Sequence, residues 1–261
     1  MDNAVATEFI QTDVRESILT IRFNRPEKKN ALNLAMYSAM TLALEQADRD
    51  SAIRVILLTG GEECFTSGND LGDFLNEPLG TESNPILQFI IAISQARKPI
   101  VAAVQGSAVG VGVTMLLHCD LVYASESALF QMPFVNLGLC PEAGSTLLLP
   151  RMMGHQKAAE LFLLGETFTA DQACTYGIVN GVYPDGELIA KAREKALQLA
   201  ARPAAAVRLA KSLLKRDYEA SLQETIIEEG RQFLARLKSP EAAEALQAFI
   251  ERRRPNFSRF D

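Results

Sequence analysis

The chain of 261 residues has no tryptophan and holds only two histidines and four cysteines. The cysteines stand far apart without a CxxC pair, and His118 and His155 are well separated, so the sequence predicts no zinc or redox motif. It also lacks the glycine spacing of phosphate and dinucleotide loops. Because no disulfide framework is evident, we expect free thiols and a cytoplasmic protein that needs no cofactor.

Long apolar runs and excess positive charge are missing as well. The chain carries 26 basic and 32 acidic residues, a net charge of −6, which argues against a general nucleic-acid binder. The least charged segment, residues 99–120, is interrupted by Gln105, Ser107 and Thr114 and never reaches the roughly 20 apolar residues of a membrane span. We therefore expect neither nucleic acid nor membrane as a partner.

Strand and helix patterns alternate along the first two thirds of the chain. Alternating or continuous apolar runs predict strands at residues 17–24, 53–60, 100–104 and 120–125. Helices are predicted after Asn33, which has the character of an N-cap, and after Pro85, with a loop over residues 73–84. This alternation predicts an α/β core with mostly parallel strands over residues 1–202. Residues 203–261 read as purely helical and form a second part.

Two glycine-containing turns are the first candidates for chemistry. They are FTSGNDLGDF (65–74) and GSAVGVGV (106–113), and the second lies between a buried strand and an apolar helix. Each turn places unpaired backbone N–H groups where they could face a ligand. Taken singly, each turn is better explained as a tight connection without any ligand.

Glu142 is the third candidate, because it stands alone in the otherwise uncharged stretch NLGLCPEAGST (136–146). A buried carboxylate is costly unless it has a partner or a task. One interpretation is a cap for the helix that follows, and the other is a base for proton transfer. Two backbone donors facing one oxygen, with a carboxylate beside them, suit enolate chemistry on a carbonyl compound.

Five motifs together resemble the crotonase (enoyl-CoA hydratase/isomerase) superfamily over nearly the whole chain. They are FNRPEKKNALN, CFTSGNDL, KPIVAAVQGSAVGVGVTMLLHCDLVYAS, PFVNLGLCPEAGST and GETFTADQACTYGIVNGVY. The resemblance implies a spiral of ββα units with a helical C-terminal region that builds a homotrimer or a dimer of trimers. It also implies acyl-CoA thioester substrates, with coenzyme A entering as part of the substrate.

The resemblance also implies roles for particular residues. The oxyanion hole matches the N–H groups of Asn69 and Val111, and the catalytic glutamate of the isomerases matches Glu142. The two hydratase glutamates match Thr114 and Phe134, neither of which is a carboxylate. Further substrate contacts are expected at Arg25, Lys28, Lys29, Ser67, Gly68, Asp70, Leu71, Phe74, Gly110, Phe134 and Leu137.

The activity that follows from this pattern is a Δ3-Δ2-enoyl-CoA isomerase of fatty acid degradation, similar to the peroxisomal-type branch. Glu142 would move one proton from C2 to C4 of the acyl chain. Three alternatives remain open at this point: another crotonase-type isomerisation, a hydratase-like reaction, and a catalytically silent acyl-CoA-binding subunit.

Overall fold

The computed structural model describes residues 8–61, 63–70, 72 and 84–260. Ten strands lie in this part of the chain: β1 Ile10–Arg15, β2 Ile18–Phe23, β3 Val55–Thr59, β4 Cys64–Thr66, β5 Ile100–Val104, β6 Ser107–Val109, β7 Leu121–Ser125, β8 Leu129–Gln131, β9 Phe168–Thr169 and β10 Gly181–Tyr183. The helices described are α1 Leu34–Arg49, α2 Pro85–Gln95, α3 Val111–Thr114, α4 Ser145–Met153, α5 His155–Leu164, α6 Ala170–Thr175, α7 Leu188–Ala200, α8 Ala204–Lys215, α9 Glu219–Leu237 and α10 Pro240–Ile250.

The larger sheet has the strand order β1-β2-β3-β5-β7-β10. Only β1 and β2 pair in antiparallel fashion, and the other neighbours are parallel. All five residues of β3 and of β5 are buried, as expected for strands covered on both faces. The four strands predicted from apolar patterns are thereby confirmed, and so is the α/β class.

A second, smaller sheet has the order β4-β6-β8-β9. Its strands contain two or three residues each, too few to show the period of two by which strands are recognised in sequence. Strands β4, β6 and β8 run parallel, so their carboxyl ends lie at the same edge. The two glycine-containing segments of the sequence include the ends of β4 and β6, and Gly68 and Gly110 follow these strands at this edge.

The predicted helix starts are confirmed where the structure describes them. The side chain of Asn33 accepts a hydrogen bond from the N–H of Met36 and so begins α1. Pro85 is the first residue of α2, which Asn84 caps, and Ser239 caps α10 in the same way. The loop predicted over residues 73–84 lies, except for Asn84, outside the described residues.

The C-terminal helices share the core of the sheets. Leu222, Ile226 and Phe233 of α9 belong to the main hydrophobic core, whereas α7 covers the opposite face of the larger sheet through Leu188 and Ala192. The boundary at residue 202 therefore separates two sequence patterns that contribute to one packed body. No helix in the described part of the chain is long and apolar enough to span a bilayer.

Candidate active site

A cavity of about 300 Å³ lies between α2 and α9, and the side chain of Glu142 forms part of its wall. The lining is mostly aliphatic and aromatic, with few polar groups, as is typical of small-molecule sites. The described residues that line it are Asn69, Asn84, Ile86, Leu87, Ile90, Glu142, Ala143, Ile226, Ile227, Gly230, Arg231, Phe233 and Leu234. Among them, Glu142 is the one carboxylate.

The carboxylate of Glu142 is buried, with 5% of the residue exposed. Its Oε1 accepts a hydrogen bond from the hydroxyl of Thr114, which is itself fully buried. Its Oε2 has no hydrogen-bond partner among the described residues. One oxygen is thus held in place, and the other is buried without a hydrogen-bond partner among the described residues.

Burial raises the pKa of Glu142 to about 8. The hydrogen bond from Thr114 opposes this rise, because it stabilises the ionised form, and the nearby carboxylate of Glu229 adds to it. A carboxylate whose pKa lies near neutral pH is a stronger base than an exposed one. It is also the kind of group expected at a site of proton transfer.

The turn that presents Glu142 has an unusual backbone. Ala143 adopts a φ of 62°, a left-handed conformation that costs a residue with a Cβ about 1–2 kcal/mol. His118 holds this turn, because its Nε2 lies 2.8 Å from the carbonyl oxygen of Ala143. Burial lowers the pKa of His118 to about 4, so the ring is neutral and its Nε2–H donates to that carbonyl.

The helix-cap interpretation of Glu142 is wrong. Helix α4 begins at Ser145 after Gly144, and no side chain of its own turn caps it. The cap comes from Glu229, whose carboxylate accepts from the N–H of Gly144 at 2.6 Å and from the N–H of Thr146 at 2.9 Å. Glu229 lies more than 80 residues further along the chain, so no local pattern points to this contact.

The two glycine turns are packed against each other. Gly68 has a φ of 91°, and a Cβ on it would lie 2.9 Å from the carbonyl oxygen of Val109, so only glycine fits there. Neither the N–H of Asn69 nor that of Val111 donates a hydrogen bond to another described residue. The structure therefore brings two backbone donors, neither of them paired with a described residue, to the edge where β4 and β6 end.

Arg25 is engaged inside the protein. Its guanidinium donates to Asp70 at 2.6 Å and to the carbonyl of Ala31 at 3.0 Å. Burial would raise the pKa of Asp70, but the hydrogen bonds from Arg25 and from the N–H of Gly72 outweigh it and lower that pKa. This ion pair joins the FNRPEKKNALN segment to the turn that carries Asn69.

Other residues expected to contact substrate lie around these turns. Lys28 and Lys29 are exposed, and their carbonyl oxygens accept hydrogen bonds from the hydroxyl and the N–H of Ser67. Asn30, which the sequence did not single out, is buried and donates to the carbonyls of Cys64 and Phe65. These two hydrogen bonds hold the segment that contains Lys28 and Lys29 beside β4.

Phe134 is buried in the main core, and Leu137 packs against that core. Neither residue, nor Gly110, lines the cavity as far as the structure describes it, so their contact with substrate stays a prediction. Leu71 and Phe74 lie outside the described residues. No cluster of three potential metal ligands occurs in the described part of the chain.

Comparison with known proteins identifies this architecture. Residues 13–259 match the enoyl-CoA hydratase/isomerase family. The chain belongs to this family. The crotonase-type fold is borne out by the structure of Pseudomonas aeruginosa OdaA, which is 48% identical, covers 94% of this chain and 99% of that one, and superposes with a TM-score of 0.92. Crotonase-type enzymes of this family act on acyl-CoA thioesters.

Curated relatives of similar identity differ in their reactions. Enoyl-CoA delta isomerase 2 of Rattus norvegicus is 36% identical over 242 residues, which are 90% of this chain and 62% of that protein. The chain thus spans less than two thirds of the length of that isomerase. The 2,3-dehydroadipyl-CoA hydratase of Escherichia coli (strain K12) is 34% identical over 93% of this chain and 96% of its own length. The curated relatives thus include an isomerase and a hydratase at similar identity, so sequence identity alone does not distinguish the two reactions.

Proposed function

We propose that this crotonase-type protein is a Δ3-Δ2-enoyl-CoA isomerase of fatty acid degradation with Glu142 as its proton shuttle. The observation that carries the proposal is that Glu142 is the single carboxylate among the described residues lining an apolar cavity, with Oε1 held by Thr114 and Oε2 paired with none of the described residues. Both carbons between which the proton moves belong to a fatty acyl chain. A base that serves them has to lie among apolar residues, as Glu142 does.

The proton transfer proceeds in two steps. In the first, Oε2 of ionised Glu142 takes a proton from C2 of a 3-enoyl-CoA, and the electron pair of that C–H bond passes into a dienolate with its charge on the thioester oxygen. In the second step, Glu142 returns the proton to C4. The double bond forms between C2 and C3, the thioester carbonyl is restored, and Glu142 is again ionised.

The dienolate oxygen needs donors that are in place before the charge develops. The N–H groups of Asn69 and Val111 suit this role, because neither is used within the described structure and both follow parallel strands that end at one edge. The exposed side chains of Lys28 and Lys29 suit the phosphates of coenzyme A. Assembly into a homotrimer or a dimer of trimers is part of the same proposal.

Hydration is the competing reaction, because a hydratase is among the relatives. Addition of water requires one group to position and deprotonate the water and another to protonate carbon. Thr114 and Phe134 stand at the two positions where the hydratases of the family have glutamates, and neither side chain supplies a carboxylate. A single shuttle suffices for isomerisation, and this favours isomerisation over hydration.

A comparison of two substrates separates the candidate functions. Purified protein is incubated with 3-hexenoyl-CoA and, separately, with 2-hexenoyl-CoA, and the products are identified by chromatography and mass spectrometry. The proposal predicts rapid conversion of the first substrate and slow hydration of the second. Hydration at an equal or higher rate would overturn it, and binding of both thioesters without turnover would point to a silent acyl-CoA-binding subunit.

A further inference from the structure

Helix α9 reaches the turn of Glu142 through a second buried carboxylate. Glu229 has 7% of its surface exposed, and its two oxygens are divided between two residues. Oε2 accepts the N–H of Gly144 at 2.6 Å, whereas Oε1 accepts the N–H of Thr146 at 2.9 Å and its hydroxyl at 2.5 Å. Three donors of one helix start are thus satisfied by one side chain.

The fit between α9 and this helix start is close. Gly144 has a φ of 71°, and a Cβ on it would lie 2.3 Å from Cδ1 of Leu222 on α9. Glu229 accepts a hydrogen bond from Gly144, which lies two residues after Glu142. His118 donates a hydrogen bond to the carbonyl of Ala143, the residue between them. The strained turn is therefore held from two sides by side chains that do not line the cavity.

We propose that Glu229 is a positioning residue, which fixes the direction of the Glu142 carboxylate and keeps a negative charge beside it. The test by turnover rate rests on the proposed isomerase function, whereas the test by the pKa of Glu142 does not. Among the described residues, the titratable groups near this turn are Glu229 from α9, neutral His118, and Cys140, which Arg236 of α9 also approaches. Arg231 of α9 lines the same cavity as Glu142. Of these, Glu229 is the group whose charge raises the pKa of Glu142.

Another glutamate of α9 supplies a matched control. Glu224 is exposed and does not line the cavity, so Glu224→Gln removes the same charge from the same helix without releasing a cavity residue. The turnover of 3-hexenoyl-CoA by Glu229→Gln and Glu224→Gln is measured from pH 6 to 10. We expect Glu229→Gln to lower kcat by about 10–100-fold, as loss of an orienting partner does, with KM little changed. We expect Glu224→Gln to stay within about twofold of the wild type.

The pH profile separates positioning from mere packing. Loss of the negative charge of Glu229 should shift the midpoint of the pH–rate profile to lower pH, whereas the midpoint of Glu224→Gln should not move. If Glu229→Gln and Glu224→Gln had the same kcat and the same midpoint, the proposal would be overturned. A folded state is checked by circular dichroism, and Glu229→Asp, which keeps the charge, serves as a second variant that should retain the wild-type midpoint more closely.

A direct titration keeps this test independent of the reaction. The carboxyl carbon of Glu142 is followed by carbon-13 NMR in protein labelled at glutamate, and its resonance is assigned by its loss in Glu142→Gln. We expect the pKa of Glu142 to be lower in Glu229→Gln than in the wild type. An unchanged pKa of Glu142 would contradict the role of Glu229, even if the protein catalysed a different reaction. A lowered pKa in a protein that does not isomerise 3-hexenoyl-CoA would support the role of Glu229 and contradict the proposed function alone.

Discussion

The hydroxyl of Thr114 donates a hydrogen bond to Oε1 of Glu142, and both groups are buried. Thr114 is thus the immediate partner of the proposed base, at the position that the family resemblance matches to a hydratase glutamate. A carboxylate at both positions would place two like charges side by side and raise one of their pKa values strongly. A hydroxyl instead stabilises the ionised form of Glu142, which is the form that accepts a proton.

The first prediction concerns the pH dependence of isomerisation. Because Glu142 has a pKa of about 8 and has to be ionised in the free enzyme, kcat/KM should rise with pH and level off above about pH 8. Thr114→Val removes the hydrogen bond that lowers this pKa, so its midpoint should lie at higher pH and its rate at pH 7 should fall several-fold. Thr114→Ser keeps the hydroxyl and is the control. Identical profiles for Thr114→Val and Thr114→Ser would contradict this account.

The second prediction concerns stability. The pKa of Glu142 is raised in the folded protein above its unfolded value, so the folded state binds the extra proton between about pH 4.5 and pH 8. The free energy of unfolding therefore falls as the pH rises through this window. Above about pH 8 it stays at the lower value. Glu142→Gln abolishes this loss, because glutamine has no proton to release.

Thermal melts at two pH values check the sign of this effect. At pH 5 the wild type and Glu142→Gln should unfold at similar temperatures, whereas at pH 9 the variant should be more stable by roughly 5–10 °C. A Tm of the variant equal to or below that of the wild type at pH 9 would show that Glu142 is not ionised at a cost in the folded protein.

The third prediction concerns the length of the acyl chain. Gly230 lines the cavity within a 19-residue helix, where glycine costs about 1 kcal/mol relative to alanine. A Cβ on it would contact only Cδ1 of Leu87, at 3.9 Å, so packing does not demand glycine. The missing side chain instead leaves room in the cavity. Gly230→Leu should therefore reduce the ratio of kcat/KM for 3-dodecenoyl-CoA to that for 3-hexenoyl-CoA by about tenfold or more.

Ala235→Leu is the matched control for this change. Ala235 lies on the same helix but is exposed and does not line the cavity, so added bulk there should leave the ratio unchanged. Equal ratios in Gly230→Leu and Ala235→Leu would mean that the acyl chain does not pass Gly230.

Much of the larger sheet could be predicted from sequence because its strands carry local signals. The alternation around Ile18–Phe23 and the buried run at Val55–Thr59 each contain five or six residues, enough to show a pattern. Asn33 and Pro85 mark helix starts through side-chain chemistry that acts within three residues. By contrast, a three-residue strand such as Cys64–Thr66 exists only because Ser107–Val109 lies beside it.

The candidate site could likewise be predicted only in part. Glu142 could be selected because a lone carboxylate in an apolar stretch is conspicuous in one sequence. The residues around Glu142 could not be predicted. Thr114, His118 and Glu229 lie 24 to 87 positions from it in the sequence, and only the fold brings them together. The cap of α4 could not be predicted for the same reason: sequence proximity offers Glu142 as one interpretation, whereas tertiary packing supplies Glu229.

The fourth prediction concerns assembly. Three leucines of α8 are more than half exposed in the single chain: Leu209 at 61%, Leu213 at 55% and Leu214 at 78%. Such a patch on one helix favours burial against another copy. Light scattering should give a mass that is a multiple of three protomers, and Leu214→Glu combined with Leu213→Glu should reduce it. A stable monomer of the wild type at micromolar concentration would exclude the proposed trimer.

The measurement that tests the central claim most directly is the isomerisation of 3-hexenoyl-CoA by Glu142→Gln, made together with the binding of the same thioester by calorimetry. Glutamine keeps the size of the side chain and can still accept the hydrogen bond from Thr114, but it cannot take a proton from C2. The account predicts loss of turnover by about 10²–10⁴-fold or more, with binding within a few-fold of the wild type. Turnover near the wild-type rate would show that Glu142 is not the base, and the assignment as an isomerase through this residue would fail.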